Sequence, residues 1–135
     1  MYTTNYFNAF ILVSDDCTAI IAEVPPQKKV QTAATITYEL LKNNPYKHTS
    51  DEVLFNTHVL KNGIATNDVV AERERFFSKS QPCFRSSPLC KRYGWGVHSN
   101  PEGKIAIYAI ESDEYKRMSI DSAMKIIKAI RSKSA

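Results

Sequence analysis

Apolar residues follow two spacings along this chain, and each spacing predicts a different kind of element. Recurrence every three or four positions predicts an α-helix with one side on a core, whereas short continuous or alternating apolar runs predict β-strands. The helical stretches are residues 30–43, the segment between Thr49 and Gly63, the segment after Thr66, and residues 119–133. The strand-like stretches are residues 7–13, 95–98 and 104–110. The predicted order is therefore β, α, α, α, β, β, α.

Local signals place several ends of these elements. Thr49 and Glu52 stand three residues apart, as in a capping box, and Gly63 suits the left-handed position that ends a helix. Residues 100–103, Asn-Pro-Glu-Gly, predict the turn of a β-hairpin between the last two strands. Ser112, followed by two acidic residues, predicts the start of a short helical turn.

The grouping of helices and strands along the chain decides the predicted fold class. Three helices follow the first strand, and the hairpin comes after them, so a doubly wound parallel sheet is not expected. We predict an α+β fold in which a small antiparallel sheet, including a hairpin in the C-terminal half, packs against about four helices. No internal repeat or linker divides the chain, and we expect one domain over residues 1–135.

Composition narrows the class of protein further. The chain has 135 residues, of which 43% are apolar and 24% charged, which is typical of a globular protein. Its N-terminus has no basic region, and its first apolar run is too short for a signal peptide or a membrane span. Three cysteines, Cys17, Cys83 and Cys90, do not form the pattern of a disulfide framework. We therefore predict free thiols in a cytoplasmic protein that is not inserted in a membrane.

Seven short runs spread over nearly the whole chain resemble a known family. They are TTNYF (3–7), EVPP (23–26), NPYK (44–47), TSDEVLF (49–55), RFFSK (75–79), QPC (81–83) and RYGWG (92–96). The family is one of small microbial proteins catalogued only as a domain of unknown function. The resemblance implies a single cytosolic domain, and it carries no activity or catalytic residue to this sequence.

Positive charge is concentrated between Arg73 and His98. Six cations and one acid there give a net +5, whereas the whole chain carries +4. Arginine side chains bind carboxylates and phosphates through two parallel hydrogen bonds, and the glycines beside Trp95 allow close approach. We predict that residues 73–98 bind a small anionic ligand or a protein partner; a solvated basic loop around a core tryptophan is the simpler alternative. The predicted ligand-binding residues are Arg73, Arg85, Lys91, Arg92, Tyr93, Trp95 and His98.

Arg73 lies on the apolar side of the third predicted helix. A guanidinium buried there needs a partner, for which Glu111 and Asp113 are candidates, because an unpaired buried charge is very costly. We favour the alternative, in which the apolar stem packs and the charged head reaches solvent.

A cysteine-dependent enzyme is the main alternative function. Cys83 or Cys90 would be the nucleophile and His98 the base, because a nearby histidine or cation lowers the pKa of a thiol. The cysteine phosphatases place an arginine six residues after the cysteine, and this chain has Leu89 and Gly96 at those positions. That class is therefore excluded, and no other catalytic signature is present.

Other partner classes are weakly supported. The cysteines are too far apart for the paired spacing of structural zinc sites, and no dinucleotide or P-loop motif is present, so we expect no metal and no cofactor. Tyr93 and Trp95 beside Lys91 and Arg92 suit weak nucleic-acid binding, but no known nucleic-acid-binding motif supports it. The sequence leaves open a homo-oligomer.

Overall fold

A computed structural model describes residues 1–132, apart from the Thr66 side chain, and its centre is a four-stranded sheet. The strands are β1 (Ala9–Leu12), β2 (Trp95–Ser99), β3 (Ile105–Ala109) and β4 (Lys125–Lys128), in the order β3-β2-β1-β4. β1 and β3 both run antiparallel to β2, whereas β4 runs parallel to β1. The predicted first strand and hairpin are confirmed.

The described residues 1–132 contain five α-helices, one more than predicted. They are α1 (Ala33–Asn43), α2 (Ser50–Asn62), α3 (Val69–Phe77), α4 (Pro88–Lys91) and α5 (Asp113–Ser119). The connection predicted to be irregular contains α4 and a 3-10 turn at Phe84–Ser86. Helices and a mostly antiparallel sheet make the fold α+β, as predicted.

The two faces of the sheet are covered by different helices. Helices α1 and α4 pack on the face that carries Trp95 and Val97. Helix α5 packs on the other face, where Phe10 and Tyr115 form a second core. Since successive side chains of a strand point to opposite faces, Trp95 and His98 lie on different sides of the sheet.

The predicted terminal helix over residues 119–133 is wrong, and residue 133 lies outside the described part of the chain. Residues Lys125–Lys128 instead form β4, where Ile126 and Ile127 are half-buried on opposite faces. The backbone N–H of Lys125 donates to Asn8 and that of Ala129 donates to Leu12. Pairing with the otherwise open edge of β1 satisfies these groups, and two adjacent isoleucines favour a strand.

Predicted caps and turns are confirmed. Thr49 and Glu52 form both hydrogen bonds of the capping box, and Gly63 has a left-handed φ of 61°. In the hairpin turn, Gly103 has a φ of 84°, and its N–H donates to the carbonyl oxygen of Asn100. Ser112 caps α5 by accepting from the N–H of Tyr115.

The N-terminal segment is fastened to the start of α2. The buried Asp51 carboxylate accepts hydrogen bonds from the Thr3 hydroxyl and from both the N–H and the hydroxyl of Thr4. The side-chain oxygen of Asn5 in turn accepts a hydrogen bond from the N–H of Asp51. These hydrogen bonds give the TTN and TSD runs a structural role. They also place Tyr6 beside Cys83.

No helix within residues 1–132 combines the length and apolar character needed to cross a lipid bilayer.

Candidate functional site

The cations of the predicted binding segment do not converge. Arg73 is exposed, and its guanidinium lies 5.0 Å from the ring centre of Phe77 and 5.7 Å from that of Phe55. Within the described residues it forms no ion pair with Glu111 or Asp113. Its head therefore reaches solvent across two aromatic rings, which is the arrangement that we favoured from the sequence.

Arg85 supports the edge of the sheet. Its Nε donates to the carbonyl oxygen of Lys128 at 2.8 Å, and its own carbonyl oxygen accepts from the N–H of Ile130 at 2.8 Å. Both groups of Arg85 thus take the place of a further strand beside the C-terminal end of β4. The Nε–H of the guanidinium thus has a structural role.

Lys91, Arg92 and Tyr93 lie at the end of α4. Lys91 is half-buried, whereas Arg92 is exposed, with its guanidinium 5.6 Å from the ring centre of Tyr93. Tyr93 packs against the main core, and its carbonyl oxygen accepts from the N–H of Glu23. The three residues form ordinary surface around a packed ring.

Trp95 is a core residue with 7% of its surface exposed. Its indole N–H donates to the carbonyl oxygen of Glu23 at 2.8 Å, and its ring packs against Tyr38 with centres 5.4 Å apart. Lys42 lies 5.7 Å from the ring centre. The tryptophan therefore fixes the long connection between β1 and α1 to the sheet.

His98 belongs to a hydrogen-bonded chain on the α5 face. The Tyr46 hydroxyl lies 2.7 Å from His98 Nδ1 and 2.7 Å from the hydroxyl of Tyr108. Burial lowers the pKa of His98, and the charge of Asp121 opposes this shift. Burial and the bond to Tyr108 raise the pKa of Tyr46, which adopts a left-handed φ of 59°. The sequence did not indicate this cluster.

The structure does not pair either candidate nucleophile with His98. Cys90 is fully buried on the opposite face of the sheet, and burial raises the pKa of its thiol. Cys83 is half-buried, with its sulfur 3.5 Å from the hydroxyl of Tyr6. Burial and this contact raise the pKa of Tyr6, and the nearby Arg85 opposes the rise. His98 therefore activates neither of the two thiols.

A cavity of about 460 Å³ lies between α1, α2 and the connection that follows α3. Over the described residues, none of the seven predicted ligand-binding side chains lines it. The connection lies inside the predicted segment, however, and forms one whole wall of the cavity. That wall consists of Gln81, Pro82, Cys83, Ser86, Ser87 and Pro88.

One face of α2 forms the opposite wall. Leu54, Thr57, His58, Lys61 and Asn62 recur at helical spacing and all line the cavity. Thr57 is buried and Lys61 is exposed, so this helix runs from the floor of the cavity to its rim. Among the lining residues that the structure describes, Lys61 alone carries a formal charge.

His58 is held in one orientation. Its Nε2 lies 2.9 Å from a carboxylate oxygen of Glu72, and the amide nitrogen of Asn62 lies 3.1 Å from its Nδ1. Because Asn62 donates to Nδ1, the ring proton is on Nε2 and is donated to Glu72. The pKa of Glu72 is lowered, and this hydrogen bond is the largest cause. The ring of Phe76 stacks on the imidazole, with centres 4.7 Å apart.

Residues 1–135 match a family of unknown function, DUF6157. The protein belongs to this family. No curated protein and no solved structure matches the chain. The resemblance that the sequence motifs indicated is confirmed, and the family supplies no activity with which to interpret the cavity.

The cavity is the feature of the site that the sequence did not reveal. Its walls come from three separate stretches of the chain, and periodicity within one stretch does not show which stretches meet. The sequence does contain a weaker signal. Thr57, His58 and Lys61 are polar residues on the apolar side of α2, where a helix that packs fully against a core would carry apolar residues. The family's QPC run contributes three lining residues.

Proposed function

We propose that this protein binds a small organic anion in the cavity between α1, α2 and residues 81–88. The observation that supports the proposal is a cavity of about 460 Å³ whose described lining contains one cation and no acid. Ligand pockets commonly enclose about 300–1,000 Å³ and combine apolar walls with a few convergent polar groups. The basic segment of the sequence contributes through its central part rather than through its arginines.

The walls suit a ligand with an apolar body. Leu54, Phe76, Pro82 and Pro88 present carbon surface from three elements around the cavity. Phe76 is held by its stacking on His58, which is itself fixed on both nitrogens. A flat or branched hydrocarbon group gains transfer free energy there without rearrangement of the walls.

The rim suits a negative charge. Lys61 supplies an ammonium group, whereas Glu72 does not line the cavity, and its carboxylate is engaged by the bond with His58 and the pair with Arg75. An exposed ammonium contributes modestly, so most of the affinity comes from the walls and the charge sets the preference. We place this binding in the cytoplasm, which the three free cysteines support.

Titration with simple aromatic and aliphatic acids tests the proposal. Benzoate, 4-isopropylbenzoate and octanoate are added to ¹⁵N-labelled protein, and amide shifts are followed by NMR. We expect saturable shifts confined to the cavity walls, with dissociation constants of about 1–10 mM for molecules of this size. Ala33→Trp, which fills the cavity, weakens binding at least about tenfold, and Lys61→Gln weakens it about threefold at low salt.

The matched control is Ala71→Trp, because Ala71 is exposed on α3 and lies outside the cavity lining. This variant retains wild-type binding. Absence of saturable shifts with all three acids, or equal binding by wild type and Ala33→Trp, contradicts the proposal.

A further inference from the structure

Two threonine hydroxyls lie at the floor of the cavity. Thr37 on α1 and Thr57 on α2 both line it, and they are 5% and 6% exposed. Their hydroxyl oxygens are 3.2 Å apart, and either can donate to the other. This bond joins the two helices directly beneath the space that a ligand would fill.

The hydrogen bond between the two threonines leaves one of their hydroxyl hydrogens unused. Two hydroxyls have two hydrogens, and the bond between them uses one. Within the described residues, neither threonine forms another side-chain hydrogen bond, so the second hydrogen has no protein acceptor. A buried hydroxyl donor without an acceptor is costly, and here the cavity offers the open direction. Solvent can accept this bond in the free protein, but a ligand that reaches the floor must replace it.

The floor and the rim are joined by one helix face. Thr57 and Lys61 are four residues apart on α2, a rise of about 6 Å, which is close to the length of a benzene ring with its substituents. A ligand that places its anionic group near Lys61 therefore brings its far end to the threonine pair. That far end needs an oxygen acceptor.

We infer that the ligand is an organic acid that carries a second hydrogen-bond acceptor, such as a carbonyl oxygen, at the end opposite its charge. Thr37 and Thr57 are the residues that determine this specificity. The inference rests on the proposed function, and it adds the chemistry of the second ligand end. A purely hydrocarbon end would displace solvent from the pair and leave its hydrogen unsatisfied.

Two nearly isosteric acids test the inference. 4-Acetylbenzoate has a carbonyl oxygen where 4-isopropylbenzoate has a methyl group. We expect wild type to bind the acetyl compound at least about tenfold more tightly. The double variant Thr37→Val and Thr57→Val keeps the shape of the floor and removes both hydroxyls. It should lose this preference and bind 4-isopropylbenzoate at least as tightly as wild type does.

The outcomes separate this inference from the proposal beneath it. If wild type binds neither of these acids, and neither benzoate nor octanoate, in a saturable way, the proposed function fails. If wild type binds both acids equally, or if the double variant keeps the preference, the assignment of the threonines fails while the binding site stands. Thermal unfolding verifies the fold of the double variant; should it not fold, the Thr37→Ala and Thr57→Ala double variant, which also removes both hydroxyls, provides the same test, and the Thr37→Ser and Thr57→Ser double variant, which keeps both hydroxyls, must keep the preference.

Discussion

Two neighbouring parts of the basic segment have opposite structural roles. Residues 81–88 form one wall of the cavity, with polar and apolar side chains directed into it. Residues 91–98 end a short helix and enter the central strand β2, where Trp95 and Val97 are buried. In sequence the second part looks the better suited to a binding site, because Lys91, Arg92, Tyr93, Trp95 and His98 lie there and only Arg85 of the predicted ligand-binding residues lies in the first.

The difference follows from backbone geometry. In a strand, consecutive side chains point to opposite faces, so Trp95 and His98 are three residues apart and yet lie on different sides of the sheet. In a connection with two prolines and two short helical turns, several side chains can point to the same side. Crowding of chemical groups along the chain therefore indicates a shared site in loops more reliably than in strands.

The strongest expected contrast between the two parts is in stability, at Gly96. A Cβ atom there would lie 2.6 Å from the Tyr115 ring and 2.7 Å from the Phe10 ring. Those rings pack edge to face, and the Tyr115 hydroxyl accepts from the N–H of Val13 at 2.8 Å, so they have little freedom to move. We expect Gly96→Ala to lower the free energy of unfolding by about 3 kcal/mol, measured by urea denaturation.

Gly63→Ala is the matched control. Gly63 has a left-handed φ but nothing within 4 Å of its added Cβ, so only backbone strain opposes the substitution. Its expected cost is about 1 kcal/mol. If Gly96→Ala costs no more than Gly63→Ala, the Phe10 and Tyr115 rings move aside readily and do not pack tightly against β2.

The two cysteines of the segment sharpen the same comparison. Cys83 lines the cavity and is half-buried, whereas Cys90 is fully buried in the main core. In a Cys17→Ser background, we expect Cys83 to react with iodoacetamide at least about 100-fold faster than Cys90, because Cys90 reacts only after the core opens. Mass spectrometry of the labelled peptides gives both rates.

Two further variants control the labelling. Cys83→Ser leaves a protein whose labelling is slow until denaturant is added, and Cys90→Ser labels at the wild-type rate of Cys83. Equal rates for the two thiols in native protein would contradict the placement of Cys90 in the core.

Elements with a local cause were predictable from the sequence. The capping box at Thr49, the left-handed Gly63 and the turn at residues 100–103 each depend on residues close in the chain. β4 was not predictable in this way. Helical spacing over residues 119–133 is real, but the unpaired edge of β1 lies more than a hundred residues away, and pairing with it decides the outcome.

The candidate site shows the same limit. The sequence directed attention to residues 73–98, and part of that segment does form a cavity wall. The arginines of the segment do not line the cavity, because their long side chains have separate partners. Arg73 covers aromatic rings, and Arg85 donates to the carbonyl oxygen of Lys128. The other wall comes from Leu54, Thr57, His58, Lys61 and Asn62 on α2. The sequence did not mark this helix face as a site, because polar residues of these kinds are ordinary on a helix surface and His58 is more easily interpreted as a core histidine than as a ligand.

The smallest expected effect concerns His98 and the dependence of stability on pH. Burial lowers the pKa of His98 in the folded protein, whereas an unfolded histidine has a pKa of about 6.5. The unfolded chain therefore binds a proton more readily, and the stabilising contribution of neutral His98 is present above about pH 6.5 and is lost as the pH falls through the lower folded value. His98→Gln removes this titration but leaves Tyr46, Tyr108 and Asp121 in place. Between pH 7.5 and 5.5 we expect the wild type to lose more unfolding free energy than the variant, measured by urea denaturation at each pH. An equal loss in both proteins would mean that protonation of His98 does not oppose folding, and the hydrogen-bonded chain on the α5 face would then accept the charged ring.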